Sequence, residues 1–166
     1  MEDKMEQRLK ERYDELKWLY CELYQNDEAA FEYFCNMLRR SWAQRRDSLR
    51  ALDEKRQQNP DWYRSNKLLG MMLYVDNFAG DLNGVKEKLD YIQDCGVNYL
   101  HLMPLLKTVP ERSDGGYAVA DFREVQPELG KMEELDELTE LCHKKDMCVC
   151  LDFVMNHTSE DHPWAR

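Results

Sequence analysis

No apolar run in this chain reaches the length of a membrane span, and its first residues, Met1-Glu2-Asp3-Lys4, lack the apolar stretch of a secretory signal. No membrane partner is expected, and a cytoplasmic location is the default. An excess of positive charge is missing too: 23 Lys and Arg stand against 33 Asp and Glu, a net charge of −10. That balance argues against nonspecific binding to nucleic acid or to an anionic membrane. Cysteine pairs of the C-x-x-C kind are absent, which removes the commonest zinc signature. No short internal repeat or low-complexity tract is present either. The six cysteines, Cys21, Cys35, Cys95, Cys142, Cys148 and Cys150, are read as reduced thiols. A metal cluster from Cys142, His143, Cys148 and Cys150 is conceivable. Cys148 and Cys150, however, alternate within Met147-Cys148-Val149-Cys150-Leu151. They then share one face of a buried strand as small apolar residues, and no metal is expected.

What is present divides into two regions. In residues 1–67, Leu9, Tyr13, Leu16, Tyr20 and Leu23 recur at steps of three and four, one stripe of an amphipathic helix. Asn26 is the expected N-cap of a second, longer helix whose stripe runs through Phe31, Phe34, Cys35, Leu38, Trp42, Leu49 and Leu52. Asn59-Pro60 ends it. The two predict a helical hairpin. Arg39, Arg40, Arg45, Arg46, Arg50, Lys55 and Arg56 crowd the second helix, beside Asp47, Asp53 and Glu54. That mixture reads as a solvated helix face rather than a nucleic-acid surface.

From Leu68 the pattern changes. Leu69–Val75 is a continuous apolar run of strand length, as for a strand buried on both faces. Asp81 is placed to cap a helix whose buried positions are Val85, Leu89 and Ile92, and Gly96 closes it. Val97–Met103 is a second strand, stopped at Pro104, and a long loop follows. Met132, Leu135, Leu138 and Leu141-Cys142 mark another helix, and Met147–Phe153 a third strand. Strands alternating with helices predict a parallel α/β architecture with right-handed crossovers.

In such folds the functional candidates lie just beyond the C-terminal ends of the strands. Three segments qualify: Asp76–Asp81, Ser113-Asp114-Gly115-Gly116-Tyr117, and Asn156-His157-Thr158-Ser159. Taken alone, each has a plain reading. Asp114 suits a turn, Tyr117 suits core packing, and Asn156-His157 suits a cap. His101 and His143 read as ordinary strand and helix residues. Asn156-His157-Thr158 also fits the glycosylation sequon, which a cytoplasmic chain would not use.

Together these segments resemble a known family. Asp152-Phe153-Val154-Met155-Asn156-His157-Thr158-Ser159 resembles the first conserved region of the α-amylase superfamily, glycoside hydrolase family 13, at the end of barrel strand three. Phe78-Ala79-Gly80-Asp81-Leu82, Leu100-His101-Leu102-Met103-Pro104-Leu105 and Ser113–Val119 resemble the amylosucrases within it, as does the helical leader. The resemblance implies a helical N-terminal domain over 1–67, then the first three βα units of an incomplete (β/α)8 barrel over 68–166. It implies an enzyme acting on sucrose or α-glucans by a retaining mechanism. Asp114, Tyr117 and His157 would bind one glucosyl unit, with Tyr117 stacking beneath the sugar. Asp152 and Asn156 would hold the end of strand three in place. No cofactor is implied. Many α-amylases bind calcium through the equivalent of Asn156, but amylosucrases in general do not need it.

The family's nucleophile follows strand four and its acid/base follows strand five, beyond Arg166. On this reading no catalytic residue falls within the chain, whose partners would be the missing C-terminal barrel segments. Alone it is expected to be inert and aggregation-prone. An α-amylase or a trehalose-synthase-like enzyme is the alternative within the class. Outside it, the alternative is a non-catalytic helical interaction protein with a degenerate barrel remnant.

Overall fold

A computed structural model describes residues 4–25, 27–113 and 115–165. The chain divides into two compact units, Met1–Trp62 and Tyr63–Arg166.

Among the described residues the first unit holds three α-helices, α1 (Lys4–Tyr24), α2 (Glu28–Gln44) and α3 (Asp47–Gln58). The stripe read from the sequence forms its core. Leu9, Phe31 and Cys35 are buried, with Tyr13, Leu16, Tyr20 and Phe34 packed around them. Leu23 falls outside this core and is exposed. The predicted cap Asn26 lies outside the described residues. The N-cap is Asp27, whose carboxylate accepts the Ala30 N–H at 2.9 Å.

The single long second helix expected from the stripe is instead two. Arg45 and Arg46 take extended backbone, with ψ of 126° and 145°, between α2 and α3. Such a break frees the last carbonyls of α2. Arg50 answers them from α3, donating to the Trp42 and Ala43 carbonyls at 2.8 and 3.1 Å. Arg45 grips Asp53 with both arms of its guanidinium, at 2.6 and 2.8 Å. That grip holds the Asp53 carboxyl below the usual carboxylate range. Arg39 pairs with Glu6, and Lys4 with Glu54. Lys4, Arg39 and Arg45 of this unit are therefore matched by carboxylates.

The second unit is mixed α/β. Its sheet orders β1 (Gly70–Leu73), β2 (Tyr99–Leu102) and β5 (Cys148–Leu151) as β1-β2-β5, with both pairings parallel. Between β1 and β2 lie α4 (Val75–Ala79), α5 (Leu82–Glu87) and α6 (Leu89–Asp94). Asp81 caps α5 as expected, accepting the Gly84 N–H at 2.7 Å. Gly84 packs so closely that an added Cβ would sit 2.1 Å from the Ala79 carbonyl oxygen. Helix α7 (Met132–Lys144) precedes β5. The expected long loop before it contains an antiparallel hairpin, β3 (Leu106–Thr108) with β4 (Val119–Val125). Two register irregularities interrupt that pairing, so no clean alternation marks it in the sequence.

The sheet is covered on one face. Met71 and Leu73, Leu100 and Leu102, and Val149 belong to the core with Val85, Leu89, Ile92, Leu138 and Cys142. The alternate positions form the other face, where Met72, His101 and Cys150 lie side by side in register. There Met72 is 66% exposed, so the expectation that β1 is buried on both faces is corrected. Cys148 and Cys150 do share a face, but it is this open one, and both are half-buried. Among the described residues, no group of three or more His, Cys, Asp or Glu side chains is arranged to hold a metal ion. No helix among them is long and apolar enough to cross a membrane.

Leu100 is fully buried at the centre of this core. Leu100→Ala should lower unfolding free energy by about 2–5 kcal/mol, read as a fall in the urea midpoint. Burial pushes the Cys142 thiol up to about 11. In a timed alkylation at pH 8 followed by mass spectrometry, exposed Cys95 should react early, and Cys142 only after denaturant is added.

Candidate functional site at the strand ends

Parallel pairing in register brings the C-terminal ends of β1, β2 and β5 level with one another. Leu73, Leu102 and Leu151 lie side by side. The residues that follow, Tyr74, Met103 and Asp152, therefore form one row. Met103 donates its N–H to the Leu73 carbonyl at 2.9 Å, and Asp152 donates its own to Leu102 at 3.4 Å. Strand alternation puts the Asp152 side chain on the same face as Cys148, Cys150 and His101.

The Asp152 carboxylate is engaged at both oxygens. His101 Nε2 lies 2.8 Å from Oδ1, and the Tyr117 hydroxyl donates to Oδ2 at 3.0 Å. A carboxylate offers only acceptors, so this bond requires a proton on Nε2. Donation to Asp152 raises the Tyr117 phenol above an ordinary tyrosine. Partial burial and the nearby negative charge of Asp152 add to the effect. The Tyr117 ring remains 38% exposed and open to solvent.

Tyr117 reaches Asp152 because its loop folds tightly over the strand ends. Gly115 and Gly116 have φ of +61° and +87°, a region that suits glycine. Space is short as well. A Cβ on Gly116 would lie 2.9 Å from Pro104 Cβ, and one on Gly115 would lie 3.2 Å from the Tyr74 hydroxyl. The Ala118 N–H donates to Ser113 Oγ at 3.1 Å and closes the loop.

Of the residues singled out from the sequence, Tyr117 and Asp152 are brought together directly. Asn156 and His157 form a separate exposed pair, with Asn156 Nδ2 3.2 Å from His157 Nδ1. Asp114 lies outside the described residues. The Asp76–Asp81 segment is not an open rim loop: α4 occupies most of it, and Gly80 with φ +84° closes that turn. His101, read as an ordinary strand residue, is a member of the cluster. Its place among alternating positions opposite the core face was the available signal.

Past His157 the chain returns to the hairpin. The Ser159 N–H donates to the Val119 carbonyl at 2.8 Å. The buried His162 ring packs on Phe122 and Trp164, and its Nδ1 accepts the Trp164 N–H. Arg112 pairs with Glu160 and Asp161. The segment carrying Asn156 and His157 is thus anchored at both ends, by β5 before it and by β4 after it.

Residues 9–166 match the model of the α-amylase catalytic domain. Trehalose-6-phosphate hydrolase of Bacillus subtilis (strain 168) is 37% identical over 119 residues, covering 68% of this chain and 20% of that protein. Trehalose synthase of Pimelobacter sp. (strain R48) is 39% identical over 114 residues, 66% of this chain and 20% of that one. A solved structure of a MutB mutant in complex with the substrate sucrose superposes with a TM-score of 0.55 at 32% identity. It covers 63% of this chain and 19% of that one. None of the three is named as an amylosucrase. The chain spans about a fifth of the length of the curated relatives it matches. With its parallel sheet, its strand-end cluster and a match running from residue 9 to residue 166, this chain belongs to the α-amylase family, glycoside hydrolase family 13, and carries part of its catalytic domain.

Proposed function

We propose that this chain is the N-terminal portion of an α-glucosyl-acting enzyme and supplies the part of its site that recognises one glucosyl unit. The observation that carries the reading is the Tyr117–Asp152 contact at the strand ends, within a sequence matched to the α-amylase catalytic domain. An exposed aromatic ring fixed by its hydroxyl offers a flat face to the apolar C–H face of a pyranose. On this reading Tyr117 stacks under the sugar, His157 donates to a ring hydroxyl and Asp114 binds hydroxyls at the pocket floor. Asp152 and Asn156 hold those groups in place. Residues 1–67 are then a helical N-terminal domain and 68–166 the first three βα units of a (β/α)8 barrel.

The substrate class is sucrose or another α-glucoside, handled with retention of configuration. Sucrose bound to the MutB mutant supports that class, and the trehalose-acting relatives support an α-glucosyl donor more broadly. The amylosucrase-like choice within it rests on Phe78-Ala79-Gly80-Asp81-Leu82 and Ser113–Val119. Retention requires two carboxylates about 5 Å apart, one as nucleophile and one as acid/base. The resemblance gives Asp152 neither task, and both its oxygens are tied to neighbouring side chains, as suits a positioning group. The catalytic pair is assigned to sequence outside these 166 residues.

Two outcomes follow. The purified 166-residue chain should release no fructose or glucose from sucrose over hours, and measurable turnover would overturn the assignment of the catalytic pair elsewhere. In a longer chain that carries this segment and turns over sucrose, Tyr117→Ala should lower kcat/KM by roughly 10- to 100-fold, the loss of a stacking contact of about 1.4–2.7 kcal/mol. Unchanged kcat/KM would remove Tyr117 from the sugar site.

A further inference from the structure

We propose that His101 is a positioning residue, which fixes the Asp152 carboxylate so that Tyr117 is held in the site. This rests on the reading of Tyr117 as a sugar platform, and it assigns a role to a side chain that carries no motif.

Tyr117 stands on a loop whose two preceding residues are glycines with positive φ, and its own tie to the frame is the bond to Asp152. Asp152 is itself the first residue past β5, and its backbone reaches β2 through a long bond of 3.4 Å. His101, in contrast, lies within β2, the central strand, which is paired on both sides. Its imidazole at 2.8 Å from Oδ1 ties the carboxylate to the best-supported backbone in the sheet. With one oxygen held, rotation of the carboxylate is restricted, and Oδ2 accepts from the Tyr117 hydroxyl. The imidazole and the carboxylate are about three-quarters buried, at 27% and 24% exposure, so water competes weakly for this bond. Among the described residues, Cys150 and Met72 lie beside His101 in register, and the Tyr74 hydroxyl lies near Gly115.

The test is a pH titration of the full chain carrying ring-labelled tyrosine, followed by NMR, with Tyr117→Phe identifying the Tyr117 signal. In the wild-type protein Tyr117 should titrate above free tyrosine, and Asp152→Ala should bring it down. His101→Phe, which keeps the bulk but has no donor, should move Tyr117 in the same direction. His101→Gln, whose amide can donate from a similar position, should restore much of the wild-type midpoint. An unchanged Tyr117 midpoint in folded His101→Phe would overturn the proposal. Should that variant not fold, imidazole nitrogen shifts of the wild-type protein decide. A proton on Nε2 agrees with the proposal, and a proton on Nδ1 alone overturns it. No sugar enters these measurements, so their failure leaves the glucosyl-site reading standing, and the loss of that reading leaves the tie between His101 and Tyr117 intact.

Discussion

The parallel pairing of β2 with both its neighbours is the constraint on which the second unit depends. It aligns Leu73, Leu102 and Leu151 at one level, and the side chains that follow are thereby brought to one rim. Alternation does the rest. One set of positions, Met71, Leu73, Leu100, Leu102 and Val149, faces the helices and joins the core. The other set, Met72, His101 and Cys150, is left free to carry chemistry. A slip of β2 by one residue against both neighbours would exchange its two sets. It would bury His101 among leucines and turn Leu102 to the open face.

The helical unit is held by a different balance. Its buried apolar set is small, centred on Leu9, Phe31 and Cys35, and aromatic edges supply much of the contact, with Tyr13 against Phe31 at 5.4 Å. Around that core the long cationic side chains serve as braces. Arg8 and Arg50 both approach the Trp42 ring, their guanidinium carbons 5.5 and 5.3 Å from its centroid. Arg50 at the same time caps α2. Exposed ion pairs contribute little singly, but here several of them join residues far apart in sequence, Arg39 to Glu6 and Lys4 to Glu54 among them. Within the arginine crowding of the sequence, Arg39 and Arg45 each have a carboxylate partner, Arg50 has the Trp42 carbonyl and Arg56 the Trp62 ring.

Much of the architecture was legible because it rests on periodicity and caps. The three parallel strands, the Asp81 cap, the Gly96 stop and helix α7 all follow from apolar spacing and residue chemistry. The break at Arg45-Arg46 was not legible. It has neither Pro nor Gly, and Trp42, Leu49 and Leu52 continue at helical spacing across it. Arg50 and Arg45 answer the break with side-chain bonds that no periodicity reports. The β3–β4 hairpin was hidden by its irregular register. At the site, Tyr117 and Asp152 were singled out through motifs, but their direct contact depends on the fit of Gly116 against Pro104. His101 carries no motif, and a strand residue is ordinarily read for burial. Its partner lies 51 positions away, which no local pattern reports.

That separation has a consequence for the order of events in folding. The Asp152 carboxylate meets one partner 51 residues upstream and another 35 residues upstream. Long loops must close before either bond exists, and such contacts form slowly. Helices α5 and α7 and the β3–β4 hairpin can form from nearby residues, whereas the rim is completed only when β5 docks beside β2. During synthesis, residues 70 to 125 have left the ribosome well before Asp152. Until then the Gly115-Gly116 loop has nothing to close upon, and Tyr117 waits, in time rather than in space, for the strand that will hold it.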